Sequence, residues 1–169
     1  MEHPLVIVFE GIDGSGKTTL AKSLAKSKDL IYTREPTFSS EEADRLNLKE
    51  KDSIGREVEF LIDRIQHQDL LKGCWIREPG QVSHIVCDRY IWSGLAYCHK
   101  YSPEIFDFAS AIYTHDFFKK PDIYVFVDTP IEECMKRGKV QNRSDLESLR
   151  ESYGFVRPLI SHNCRIITT

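Results

Sequence analysis

Apolar positions along the chain fall into two alternating patterns. Leu5-Val6-Ile7-Val8-Phe9 is continuously apolar and rich in β-branched residues, as suits a central strand covered on both faces. A helix-compatible run from Thr18 to Lys28 follows, with Leu20, Leu24, Ala21 and Ala25 at helical spacing. Further strands are predicted at Leu30–Thr33, His84–Cys87, Ile123–Val127 and Arg165–Thr168. Between them, helices are expected at Arg56–Lys72, with Val58, Leu61, Ile62 and Ile65 as its apolar stripe and Ser53 as a candidate cap, from Ser93, at Pro103–Phe118, Ile131–Lys136 and Asp145–Tyr153. The polar stretch Phe38–Lys51 reads as loop plus a short exposed helix, and Pro79-Gly80 as a turn. Strands alternating with helices predict an α/β protein: a five-stranded, parallel sheet flanked by helices in three layers, with right-handed crossovers.

The turn after the first strand carries chemistry. Gly11-Ile12-Asp13-Gly14-Ser15-Gly16-Lys17-Thr18-Thr19 contains G-x-x-x-x-G-K-T between a strand and a helix, the context a phosphate-binding P-loop requires. Its glycines let successive N–H groups turn inward, and the helix N-terminus adds positive potential. Lys17 would reach the β- and γ-phosphates of a nucleotide, and the Thr18 hydroxyl would ligate Mg²⁺.

Other candidates lie where strands end, the crevice in which open α/β sheets bind ligands. Arg34 follows the second strand and could meet an anion or serve as a surface ion-pair partner. Asp88-Arg89 follows the third; the Asp is placed to hold Mg²⁺ and the Arg to carry phosphate charge, or the two form a loop salt bridge. Phe60 and Arg64 lie four apart and share a helix face. They could sandwich and grip a planar base, or pack as a cation–π pair on a solvated face. The basic segment Lys136–Arg143 could close over transferring phosphates or form a solvated helix end.

Composition narrows the class. A chain of 169 residues suits one domain. A net charge of −3 gives no sign of a general nucleic-acid surface. The five cysteines are unpatterned, which argues for reduced thiols in an intracellular, cytoplasmic protein. No apolar run approaches the length of a membrane span, and no signal peptide is evident.

The motifs together resemble the thymidylate kinase family of P-loop nucleoside monophosphate kinases. The resemblance rests on Phe9–Thr19, Thr33-Arg34-Glu35-Pro36, Phe60-x-x-x-Arg64, Asp88-Arg89-Tyr90-x-x-Ser93-Gly94-x-Ala96-Tyr97, and Lys120-Pro121-Asp122 before a strand ending in Asp128. It implies a single P-loop kinase domain over residues 1–169, with a lid at about 137–145, that transfers phosphate from ATP to dTMP with Mg²⁺ held by Thr18 and Asp88. By the same resemblance Gly11 to Thr19 bind ATP, and Asp13, Arg34, Pro36, Phe60, Arg64, Arg89, Ser93, Gly94 and Tyr97 bind the acceptor. Asp13 would contact the sugar, Phe60 would stack on thymine, and Tyr97 would disfavour a ribose 2′-hydroxyl. Asp13, Lys17, Arg89 and the lid arginines Arg137 and Arg143 are the expected catalytic groups. A homodimer is implied, with no nucleic acid or membrane partner. The chain departs from the pattern at Thr37-Phe38-Ser39-Ser40, which replaces a glycine pair, in its short lid, and in ending after the last strand rather than in a terminal helix. Alternative readings are a deoxynucleoside kinase, a broad deoxynucleotide kinase, and a nucleotide-binding paralogue without activity.

Overall fold

The first apolar run forms strand β1 (Val6–Glu10), and its burial on both faces matches its unbroken hydrophobicity. The structure is a computed structural model that describes residues 4–73, 76–78, 81–137, 142–160 and 165–168. In order, the elements are β1, α1 (Lys17–Lys28), β2 (Ile31–Arg34), α2 (Ser40–Arg45), α3 (Ser53–Gly73), β3 (Ile76–Glu78), β4 (Gln81–Val82), β5 (Ile85–Asp88), α4 (Ile91–Tyr101), a 3₁₀ turn (Pro103–Ile105), α5 (Phe106–Tyr113), β6 (Ile123–Phe126), α6 (Ile131–Arg137), α7 (Arg143–Ile160) and β7 (Arg165–Thr168). The five-stranded sheet runs β2-β5-β1-β6-β7, every pair parallel, as expected. β3 and β4 form a separate antiparallel ribbon. The predicted Pro79-Gly80 turn lies outside the described residues.

Two apolar clusters sandwich the sheet. One joins α1, through Ala21 and Ala25, to Phe9, Val86 and Val127. The other joins α4 and α7 to the opposite face, around Trp92, Tyr124 and Tyr153. The Trp92 indole donates to the Tyr153 carbonyl at 2.9 Å, so that large ring is buried with its polar atom satisfied. At the sheet's lower edge, Asp122 accepts the Val6 N–H at 2.8 Å, a fold-building role for the Lys120-Pro121-Asp122 motif.

Two elements depart from expectation. Helix α3 starts earlier and is capped by Asp52, whose Oδ1 accepts the Gly55 N–H at 2.7 Å; Ser53 instead donates to Glu104. Its stripe Val58, Ile62 and Ile65 is 39–44% exposed, and the buried side carries Glu57, Arg64, His67 and Gln68. Periodicity located the stripe but not its partner, because the inward face of α3 carries Glu57 and Arg64 at the wall of a cavity. The predicted helix at Pro103–Phe118 is split and ends at Tyr113, where the Thr114 hydroxyl turns back to the Ser110 carbonyl and His115 takes the Phe117 N–H.

Glu10 ties the two layers together at the top of β1. Its carboxylate accepts from the backbone N–H groups of Tyr90 (2.9 Å) and Ser93 (3.2 Å) and from the Ser93 hydroxyl (2.5 Å). It thereby serves the free N–H groups at the N-terminus of α4. Burial raises its pKa, and the Ser93 hydrogen bond and the Arg89 charge pull the other way. Glu10→Ala should lower stability by on the order of 3 kcal/mol, since several buried donors lose their acceptor. Chemical denaturation would check this, and Glu10→Gln should lose less.

Candidate functional site

The P-loop folds as its glycines require. Gly14 has φ +80°, and a Cβ there would stand 2.4 Å from the Cys134 carbonyl oxygen, so α6 packs against the loop only because the residue is glycine. Gly11, Ile12, Ser15 and Lys17 are buried, while Thr18 and Thr19 open α1 at the surface. The Lys17 side chain turns toward the loop: its Nζ donates to the Ile12 carbonyl at 3.1 Å and lies 3.6 Å from Asp13. Burial pushes its pKa down to about 8, the Arg89 charge adds to this, and Asp13 and Asp88 oppose it.

Asp88 ends β5 beside Thr18, whose hydroxyl donates to Asp88 Oδ2 at 2.5 Å. The next residue, Arg89, has φ 72°, a backbone conformation uncommon outside glycine. That turn sends its guanidinium to the other side, where it donates to Asp13, to the Ser93 hydroxyl at 3.2 Å and to the Tyr153 hydroxyl at 3.3 Å. It also lies over the Tyr97 ring, 5.3 Å from its centroid. The Tyr97 hydroxyl donates to the second Asp13 oxygen at 3.1 Å. Asp13, Arg89, Ser93 and Tyr97 are thus one assembly.

Below it opens a cavity of about 420 Å³. Pro36, Phe60, Arg64, Gly94 and Tyr97 line it, as the motifs led us to expect, together with Asp13, Arg89 and Ser93. Phe38 also lines it and stacks on Phe60 with ring centroids 5.6 Å apart. Arg64 is fixed from behind. Its Nε donates to Glu35 Oε2 at 2.6 Å, and its guanidinium lies 4.7 Å from the Tyr113 ring centroid. Glu35 Oε1 contacts His67 Nδ1 at 2.8 Å, and His67 Nε2 contacts the Thr33 hydroxyl at 2.7 Å. Burial opposes the Arg64 charge, but Glu35, Tyr113 and Glu57 together more than offset it and the pKa is raised.

Not every predicted residue joins this site. Arg34 is exposed, away from the cavity, with its guanidinium 3.4 Å from the Phe38 carbonyl. Strand alternation explains this: Arg34 is in register with Asp88 on the α1 side of the sheet, while Glu35 turns to the cavity side. Of the lid, residues 138–141 lie outside the described residues. Arg137 sits against the P-loop, Nη1 3.4 Å from the Ser15 carbonyl. Arg143 is on the outside of α7, paired with Glu132 at 2.6 Å and Glu147 at 3.3 Å. Sequence reasoning missed the supports: Glu10, Glu35, His67 and Tyr153, and Arg150, which pairs with Asp128 at the end of β6. Glu10 and Glu35 were within reach, since both stand inside quoted motifs; His67, Tyr153 and Arg150 are single polar residues on helices, with no local signature.

Among the described residues, three buried side-chain atoms have no hydrogen-bond partner: Ser15 Oγ, Asp88 Oδ1 and Arg64 Nη1. They stand at the phosphate loop, the strand end and the cavity. Unpaired buried polar groups are costly, and their gathering at one site marks places for ligand atoms. The set defines a P-loop nucleotide-binding protein with a second pocket across the sheet's carboxyl edge.

Comparison with known proteins gives the particular family. The family model described as thymidylate kinase matches residues 9–157, and the chain belongs to that family. A probable thymidylate kinase of Methanococcus aeolicus is 39% identical over 138 residues, covering 78% of this chain and 64% of that protein. One of Methanocaldococcus jannaschii is 37% identical over 146 residues, covering 84% and 73%. Among solved structures, the thymidylate kinase of Ehrlichia chaffeensis superposes with a TM-score of 0.69 at 26% identity, over 99% of this chain and 92% of that one. That of Candida albicans, at 18% identity, shares the fold, with a TM-score of 0.77 over 98% and 84%.

Gly94 tests the fixing of Arg64. A Cβ there would meet Arg64 Nη1 at 2.5 Å and Cζ at 2.8 Å, and Glu35 and Tyr113 leave the guanidinium no easy retreat. Gly94→Ala should therefore cost about 1–3 kcal/mol of stability through overpacking, measured by urea denaturation.

Proposed function

We propose that the chain transfers the γ-phosphoryl group of ATP to dTMP, giving dTDP and ADP. One observation carries the reading: the cavity with Phe60, Arg64 and Tyr97 meets the P-loop at Asp13 and Arg89. Two nucleotides can then lie end to end, phosphates together. Phe60 faces the thymine ring, and the unpaired Arg64 Nη1 donates to a base carbonyl. Tyr97 and Asp13 border the sugar, and Arg89 binds the acceptor phosphate. The P-loop N–H groups and Lys17 hold the donor phosphates, Lys17 leaving the Ile12 carbonyl to do so.

Transfer of this kind rests on in-line placement and neutralised charge, with little covalent work for the protein. The Asp88 carboxylate and Thr18 hydroxyl fit Mg²⁺: both are hard oxygen donors, and Asp88 Oδ1 is buried and unpaired. When bound, that ion supplies positive charge between the phosphates. Arg137, already against the Ser15 carbonyl, is the lid arginine we assign to the transferring group, in preference to the outward Arg143. Arg34 has no assigned contact with the acceptor phosphate, which leaves that task to Arg89.

The finer assignments follow from surface and thiol chemistry. Ile54, Val58, Ile62 and Ile65 expose one apolar face of α3, and a two-fold pairing of that face with its own copy would bury it. A homodimer is our reading of it. Among the described residues the free thiols Cys87, Cys98 and Cys134 are buried, which fits a reducing cytoplasm, and no helix is long and apolar enough to cross a membrane.

An ADP-release assay over dTMP, dUMP, dCMP and thymidine tests the activity. The expected order places dTMP first; turnover of thymidine with none of any monophosphate would reject the reading, and ATP binding without turnover would mark an inactive paralogue. Arg137→Ala should slow transfer by about 10³-fold, as for an arginine that stabilises transferring phosphate, and Arg143→Ala by little. Ile62→Glu should convert a dimer to a monomer in sedimentation analysis.

A further inference from the structure

Glu57 is an acid on the buried side of α3, opposite the apolar stripe. It lies on the inward face of α3, one turn before Phe60, and is 7% exposed. It lines the same cavity as Phe60, Arg64 and Gly94. One carboxyl oxygen, Oε1, accepts the Tyr113 hydroxyl at 2.7 Å. The other oxygen makes no hydrogen bond among the described residues. The Tyr113 ring also lies beneath the Arg64 guanidinium, so a single tyrosine positions both groups. Burial raises the Glu57 pKa, while the Tyr113 hydroxyl and the Arg64 charge pull it down. The carboxyl group keeps one oxygen unused at the cavity wall, an acceptor open to a ligand N–H.

We propose that Glu57 is a specificity-determining residue that reads the acceptor base, accepting the N3–H of thymine while Arg64 Nη1 donates to O4. The inference rests on the acceptor being dTMP. The chemistry is a matched pair. Thymine presents an acceptor, O4, beside a donor, N3–H. The cavity presents a donor with a free position, Arg64 Nη1, and an acceptor with a free oxygen, Glu57. Cytosine reverses both groups: its 4-amino group would face the guanidinium and its bare N3 the carboxylate. Sites built to bond a substrate N–H discriminate strongly against analogues that lack it, because their own buried polar group is left unpaired.

The test uses the full-length protein with dTMP and N3-methyl-dTMP as acceptors, each with wild type, Glu57→Gln and Glu57→Leu. Leucine keeps roughly the volume of glutamate, so it removes the acceptor without opening space for the methyl group. In wild type, kcat/KM should favour dTMP over N3-methyl-dTMP by at least about 10²-fold. In Glu57→Leu the ratio should fall to within about tenfold of unity, because the methyl group no longer strands a carboxylate. Glu57→Gln can turn its one amide oxygen to N3–H while its NH2 donates to the Tyr113 hydroxyl oxygen, and should retain most of the preference. An unchanged ratio in Glu57→Leu, with both acceptors slowed alike, would overturn the proposal and assign Glu57 to holding Tyr113. A wild type that prefers dCMP to dTMP would overturn it as well. A wild type that phosphorylates no monophosphate would instead fail the assigned activity, a different result from either.

Discussion

Charge stripped of water governs the carboxyl edge of this sheet. Glu10, Lys17, Glu35, Arg64 and Asp88 are all buried there, and Arg89 nearly so. An isolated buried charge costs several kcal/mol, so each must find a counter-charge or hydrogen bonds. The solutions interlock. Glu10 serves the start of α4, Arg89 meets Asp13 beside Ser93 and Tyr153, and Glu35 clasps Arg64 and His67 together. The strained backbone at Arg89 belongs to this scheme, because only that turn carries its guanidinium from the β5 end to Asp13. Side chains fixed from several directions in this way are oriented before any ligand arrives, the condition that electrostatic preorganisation requires.

The same crowding leaves a few atoms unsatisfied, and they are not scattered. Ser15 Oγ, Asp88 Oδ1 and Arg64 Nη1 fall at the P-loop, the end of β5 and the cavity wall. Lys17 and Asp13 meanwhile use protein partners that nucleotide groups can replace.

The sequence made the sheet readable because strand and loop signals are local. A continuous apolar run, a glycine-spaced turn and a Lys-Thr helix start fix β1, the P-loop and α1 without any long-range knowledge. Phe60, Arg64, Gly94 and Tyr97 were legible as a site through family motifs, and they do converge. What stayed hidden depends on facing. The inward side of α3 is polar because it borders a cavity, so its apolar stripe pointed the wrong way for a core. Arg34 reads as a strand-end anion binder, yet two-residue alternation sets it on the opposite side from Glu35. Glu57 has no motif at all; only its burial against Tyr113 and the cavity gives it meaning.

The central claim is that one continuous, preformed trough accepts both nucleotides at once, with Arg89 at their junction. A bridged compound in which five phosphates join adenosine to thymidine probes that claim directly. Calorimetry should find one molecule bound per chain, at least about 10²-fold tighter than ATP or dTMP alone, since one ligand carries the ordering cost for two. Binding no tighter than ATP alone, or two molecules per chain, would contradict it.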